Sequence, residues 1–320
     1  VAIDGALFAE IVPERLAAED YQIIFDRGQD KMDNKDYLGA QQEFTKVIEI
    51  IPNYWQAYHN RALSKGFLKN YEGAVKDYTK AIEFNPNPWA ISYYQRAFNH
   101  DRLGNYRESI ADYNNALLLG LDEKIKFIVY FNRGYAKQQK EDYQGAITDY
   151  TKAIEHNLVD VETKNLAFFF RGVSKRRIKD YQGSIQDFTN NIELDSKNYE
   201  SYFNRGLNKL SLDDIEGGLI DLDKALGIAD ELKDTEGIIN EIISIKEVIN
   251  KDIEKGIAFE SREEILKKID KAKEREDFQE LIRLWKKIII SHEKINQLDS
   301  YPYSAVAYNY EELGKYKEAK

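Results

Sequence analysis

One phrase keeps returning in this sequence. Asp/Asn-Tyr-x-Gly-Ala/Ser-x-x-Asp-Tyr/Phe, preceded by a short Arg-Gly or Arg-Ala phrase, is anchored at Tyr37, Tyr71, Tyr106, Tyr143 and Tyr181, with Ile215 in the same register. Neighbouring anchors are 34, 35, 37, 38 and 34 residues apart. A period of this size is the mark of a stacked solenoid. A unit of this length holds two short helices and cannot bury its own apolar face, so it must stack on copies of itself to build a core.

Numbering the register from 1 to 34 places copies at 21–54, 55–88, 90–123, 127–160, 165–198 and 199–232. Positions 4, 8 and 11 share one helical face in the first half of each copy, and positions 20, 24, 27 and 28 share one in the second. Between the halves, position 16 is always Asp or Asn: Asp36, Asn70, Asn105, Asp142, Asp180 and Asp214. Such a side chain caps the free N–H groups of a following helix. The unit reads as helix, turn, helix.

Position 8 holds Gly28, Ala62, Ala97, Gly134, Gly172 and Gly206; position 20 holds Ala40, Ala74, Ser109, Ala146, Ser184 and Gly218. Position 24 holds Phe44, Tyr78, Tyr113, Tyr150, Phe188 and Leu222, and position 32 keeps Pro only at Pro52 and Pro86. This pattern resembles the tetratricopeptide repeat family, with small residues at 8, 20 and 27, aromatics at 17 and 24, and often Pro at 32. The resemblance implies an all-α, right-handed superhelical solenoid of antiparallel helix pairs. Gly inside a helix costs about 1 kcal/mol against Ala, so its recurrence at position 8 predicts a close approach by the neighbouring helix.

Outside the six copies the signal weakens. Residues 1–20 read as an N-terminal capping segment or a cloning remnant, and Val1 suggests that the natural start is missing. Residues 233–261 read as a long helix marked by Ile238, Ile239, Ile242, Ile245, Val248, Ile249 and Ile253. Residues 262–320 fit degenerate repeats. Phe278, Leu281, Trp285 and Ile288 mark a seventh copy, and Leu313, Gly314, Tyr316 and Ala319 an eighth that stops unfinished at Lys320, so a longer natural chain is expected.

Composition excludes several functions. With 46 basic against 56 acidic residues the net charge is −10, which opposes a nucleic-acid partner. No apolar run reaches the roughly 20 residues that span a bilayer, so no membrane insertion is expected. The absence of cysteine removes disulfides and thiolate chemistry without fixing the compartment, of which the cytoplasm is favoured. No phosphate-cradling loop, His-Glu-x-x-His or Gly-x-Ser-x-Gly occurs. His59, His100, His156 and His292 stand apart from one another and from any Cys, which argues for packed or surface histidines rather than ligands. No catalytic residue, metal site or cofactor is expected.

Two features go beyond a generic array. Position 7 is Arg in every copy (Arg27, Arg61, Arg96, Arg133, Arg171, Arg205), and position 11 is Lys31, Lys65, His100, Lys137, Lys175 and Lys209. Position 23 in the facing helix is Glu43, Asp77, Asp112, Asp149, Asp187 and Asp221. Positions 7 and 11 lie one turn apart, so both cations can reach one carboxylate. A ladder of structural ion pairs follows; a cationic stripe for an acidic ligand would require the carboxylates to point elsewhere.

The second feature is a candidate groove. The family resemblance implies that positions 2, 5, 9 and 12 of the first helices line a concave peptide-binding surface. Position 5 carries Phe25, His59, Tyr94, Phe131, Phe169 and Phe203; position 9 includes Leu63, Phe98, Tyr135 and Leu207; Asn60, Asn132 and Asn204 stand at position 6. These predict an aromatic channel flanked by amides that can hold a ligand's main chain. The competing reading is that the rings are core. The clamp that chaperone-binding family members use for a C-terminal carboxylate needs Lys at position 5 and Asn at position 9, and no copy has either. The expected function is a scaffold that binds a protein or peptide segment in the groove. Two alternatives stay open: the sensing region of a larger enzyme or signalling protein, and a homo-oligomer assembled through its open ends.

Overall fold

The computed structural model describes residues 21–156, 158–232, 240 and 242–247. They fall into two compact units, one up to Ser174 and one from Lys175 onward. Among the described residues there is no strand. In the first unit, α1 (21–33) is followed by α2 (Tyr37–Ile50), α3 (Trp55–Phe67), α4 (Tyr71–Phe84), α5 (Ala90–Arg102), α6 (Tyr106–Leu119), α7 (Glu123–Gln139) and α8 (Tyr143–Glu155). The boundary lies within α9 (Val161–Arg177), and the second unit continues with α10 (Tyr181–Leu194), α11 (Tyr199–Ser211) and α12 (Ile215–Leu232). The wider spacing around the fourth and fifth copies has a simple cause: α7 and α9 run to 17 residues where α3, α5 and α11 have 13, so the extra residues form one more helical turn.

Consecutive helices pack on one another, α3 on α4, α5 on α6 and α7 on α8 within copies, α4 on α5 and α6 on α7 between them, and α11 on α12 in the second unit. The core is the expected stripe. Ala40, Ala74, Ala146, Phe44, Tyr78, Tyr113, Tyr150, Phe188 and Leu222 are fully buried. Position 8 shows why a small residue is needed. A Cβ on Gly28 would lie 2.6 Å from the Phe44 ring, and one on Gly206 would lie 3.0 Å from the Gly218 carbonyl oxygen. The helical stretch 242–247 adds Ile242 to the buried cluster of Phe203, Leu207 and Leu222, inside the expected 233–261 helix. The rest of that helix, residues 1–20 and the degenerate repeats of 262–320 lie outside the described residues.

The turn between paired helices is built the same way each time. The position-16 N–H donates to the position-11 carbonyl at 2.8–3.0 Å in all six copies. This closure requires a left-handed residue at position 15. φ is 60–64° at Lys35, Lys69, Glu141, Lys179 and Asp213, and 74° at Gly104. Position 16 then caps the next helix: the N–H of Gly39, Gly73, Gly145, Gly183 and Gly217 donates to Asp36, Asn70, Asp142, Asp180 and Asp214 at 2.9–3.0 Å. The third copy departs from expectation, because Asn105 makes no side-chain cap. Its position 19 is Glu108 rather than Gly, and the cap presses close on that site: a Cβ on Gly39 would lie 2.1 Å from Asp36 Oδ2.

The ion ladder is formed. Arg61, Arg96, Arg133 and Arg205 each donate through Nε and Nη2 to both oxygens of Asp77, Asp112, Asp149 and Asp221, at 2.5–2.8 Å. Lys65, Lys137, Lys175 and Lys209 reach Asp77, Asp149, Asp187 and Asp221 at 2.7–2.8 Å. Glu43 in the first copy holds Arg27 at 3.1 Å, Lys46 at 3.0 Å and Lys31 at 3.5 Å. The carboxylates therefore face the cations, and the stripe is spent on structure.

From the second copy on, each arginine also ties its copy to the preceding one. Nη1 of Arg61, Arg96, Arg171 and Arg205 donates to Thr45, Thr79, Thr151 and Thr189, and that of Arg133 to Asn114, at 2.7–3.2 Å. All five acceptors stand at position 25. The four threonines donate their own hydroxyls to the carbonyl four residues earlier, at 2.8 Å, which leaves the oxygen lone pairs to accept. The guanidinium lies 5.4–5.6 Å over the position-4 ring of Tyr58, Tyr93, Tyr130, Phe168 or Tyr202, a cation–π contact.

Candidate peptide-binding face

The position-5 row is not an open channel. Phe25, His59, Tyr94, Phe131, Phe169 and Phe203 are all buried, the most accessible at 9 % exposure. The physical reason is the ring at position 24 of the same copy, which reaches across the helix pair. Phe25 meets Phe44 at 5.5 Å, His59 meets Tyr78 at 5.3 Å, Tyr94 meets Tyr113 at 6.3 Å and Phe131 meets Tyr150 at 5.6 Å between ring centroids. Phe169 packs edge-on against Phe170, and Phe203 joins the Leu222 cluster. These residues are core, packed inside their own copies. His59 also shares a 2.9 Å hydrogen bond with Ser92, and burial pushes its pKa down to about 4, so it is a neutral core residue.

Position 6 is divided. Asn132 and Asn204 are buried, and Asn204 is occupied at both ends, donating to the Glu200 carbonyl at 2.8 Å and accepting from Arg176 at 3.1 Å. Asn60 is half-buried. At position 9, Leu207 is fully buried in the second unit, which removes it from any ligand surface.

Leu63, Phe98 and Tyr135, the position-9 residues of three successive copies in the first unit, stay half-buried. Their helices α3, α5 and α7 are neighbours in contact, so the three side chains follow one another along one face. Ile91 and Ile128, position 2 of α5 and α7, are half-buried beside them in register. Tyr135 lies 6.4 Å from the Tyr106 ring and 5.7 Å from Phe170, and burial pushes its phenol up to about 12.

Inter-copy aromatic contacts at the turn edge escaped sequence reasoning. Tyr37 stacks on Phe67 at 4.4 Å, and Arg102 lies 5.5 Å over Tyr71. Both join position 17 of one copy to position 13 of the next, so the signal was a cross-copy pairing that no single repeat displays. A separate open cleft of about 650 Å³ follows from the extra turn of α7. Glu123, Lys126, Lys152, Glu155 and His156 of both signs line it with Tyr130 and Leu158. The Leu158 N–H donates to His156 Nδ1 at 3.2 Å, which leaves Nε2–H to donate to Glu123 at 3.0 Å. Among the described residues no cluster of three His, Cys, Asp or Glu could hold a metal ion, and no helix is long and apolar enough to cross a membrane.

Models of the tetratricopeptide repeat family match residues 55–88, 90–119 and 128–157. With the register, small-residue contacts and helix pairing described above, they identify the chain as a tetratricopeptide repeat protein. Solved structures share the fold. YrrB, described as a tetratricopeptide protein with an unusual peptide-binding site, is 22 % identical with a TM-score of 0.54, covering 64 % of this chain and 97 % of its own. The C-terminal part of a repeat protein from Cytophaga hutchinsonii is 19 % identical with a TM-score of 0.60, covering 73 % and 92 %. Pseudomonas aeruginosa pilF is 14 % identical with a TM-score of 0.53, covering 71 % and 98 %. No curated protein matches the chain. Tetratricopeptide repeats generally mediate protein–protein interaction, and scaffolds of this type are typically non-enzymatic.

Proposed function

We propose that this chain is a non-catalytic scaffold that captures an extended or helical segment of a protein partner on the face carrying Leu63, Phe98 and Tyr135. The observation behind this reading is that the position-9 side chains of three neighbouring helices stay half-buried while the position-5 rings beneath them are core. An ordered row of partly exposed large apolar side chains is the surface that binds a segment, because such groups bury much area at low entropic cost. The peptide-binding site named for YrrB, which shares this fold, supports it by analogy.

Leu63→Ser with Phe98→Ser tests the reading. Loss of a central anchor typically costs ~2 kcal/mol or more of binding, so capture of a segment selected from a displayed peptide library weakens by well over tenfold. Helical content stays intact. Unchanged affinity in a folded variant refutes the reading.

A further inference from the structure

The third copy contains an acid in an unusual position. Asp101, at position 12 in the last turn of α5, is buried. Its Oδ2 accepts a 2.6 Å hydrogen bond from the Tyr113 hydroxyl, and its Oδ1 is buried with no hydrogen-bond partner. No cation among the described residues pairs with it.

The fourth copy shows how the same place is satisfied. Gln138 stands at its position 12, and Gln138 Oε1 accepts from the Tyr150 hydroxyl at 2.8 Å and from the Ser174 hydroxyl at 3.3 Å. The second donor comes from position 10 of the following copy. For Asp101 that position is Ala136, fully buried and carrying only a methyl. The third copy thus places a group that can carry a full charge where the fourth has a neutral amide, and one oxygen of that group stays without a hydrogen-bond partner.

The groups around it offset the burial of a charge only in part. His100 and Arg102 flank Asp101 on α5, and the Arg102 guanidinium is drawn onto the Tyr71 ring. From α6 come Tyr106, Tyr113 and Ser109, whose hydroxyl donates to the Tyr106 carbonyl at 3.1 Å. Tyr135 on α7 and Tyr150 on α8 complete the surroundings. An ionised carboxylate here has to draw water or a reoriented hydroxyl to Oδ1, whereas a neutral carboxyl leaves only an uncharged polar group unpaired, at much lower cost.

We propose that Asp101 is a proton-operated lock on the third copy, keeping α5, α6 and α7 closed while its carboxyl is neutral and loosening them when it ionises. Burial pushes this carboxyl up to about 7, against the Ser109 and Tyr113 hydroxyls and the Arg102 guanidinium, which favour the charge. The folded state therefore holds a proton that the unfolded chain has released. The stability this confers is complete below the unfolded carboxylate range and is lost as pH rises through about 7.

The test uses the full chain. The Asp101 side-chain carbonyl is followed by carbon-13 NMR from pH 4 to 9, together with hydrogen exchange of the α5–α7 amides corrected for intrinsic rates. Glu200, half-buried in the second unit and also pushed up to about 7, is removed by Glu200→Gln so that it does not contribute. The lock predicts a midpoint near 7 and opening of these helices that grows by up to about tenfold per pH unit between pH 5 and 7. Asp101→Asn, which keeps an acceptor for Tyr113, abolishes that dependence, and Ala136→Ser lowers the midpoint. An Asp101 midpoint below 5 overturns the proposal, as does a pH dependence that survives Asp101→Asn. If Asp101→Asn does not fold, the titration of the unsubstituted residue still decides.

Discussion

Removing the carboxylate of Asp149 is the sharpest perturbation of the ladder. Asp149 is 1 % exposed, accepts from Arg133 at 2.5 and 2.8 Å, and pairs with Lys137 at 2.7 Å. Asp149→Ala leaves two cations facing each other across the space of one carboxylate. Stranding one partner of a buried pair typically costs 3–5 kcal/mol. Here the side chains of Arg133 and Lys137 keep 13 % and 19 % exposure, and Arg133 retains Asn114 and the Tyr130 ring. Water reaches both heads, so the expected loss is about 2–3 kcal/mol, still above the ~0–1 kcal/mol of an exposed pair. Urea unfolding measures it, and the cycle with Arg133→Met isolates the coupling, which should be at least about 1 kcal/mol. A loss below about 1 kcal/mol for Asp149→Ala, with no coupling, would refute the ladder as a buried device.

Three further outcomes follow from the same geometry. Glu141→Gly relieves a left-handed residue at φ 62° and should raise stability by roughly 0.5–1 kcal/mol in urea unfolding, while the same change at the right-handed Lys140 should not. Phe131→Ala removes a core ring and should cost about 3–5 kcal/mol by thermal or urea unfolding, which separates it from a surface contact. Thr189→Val removes the acceptor of Arg205 Nη1 and should cost about 1 kcal/mol, lost again in an Arg205→Met background.

What the sequence revealed follows from how each interaction is encoded. The repeat was legible because a register shared by six copies repeats both the small residue at position 8 and the large apolar side chain that faces it at position 24, as with Gly28 and Phe44. The ladder was legible because Arg133, Lys137 and Asp149 recur together at fixed offsets. The position-5 row was harder to judge: Phe131 lies on the same helical face as Ile128 and Tyr135, and only the distance between paired helices decides that Tyr150 covers it. Asn132 and Asn204 failed as groove amides for a similar reason, since they are buried. Thr151 gave no local signal, because a threonine in a helix reads as ordinary until the arginine of the next copy is placed beside it. Glu141 lacked the glycine that usually announces a left-handed turn, and Gly104 alone carried that mark. Asp101 stands at a position whose residue type changes from copy to copy, and its meaning depended on finding Ala136 where the next copy has Ser174.

Site-specific photocrosslinking tests the central claim most directly. A benzoyl-phenylalanine in place of Phe98, on the proposed capture face, is compared in cells with one in place of Asn115 on the exposed side of α6. The account predicts that position 98 yields a discrete crosslinked partner, that Leu63→Ser suppresses the product, and that position 115 gives none. Partner crosslinks from position 115 with none from position 98 would contradict it.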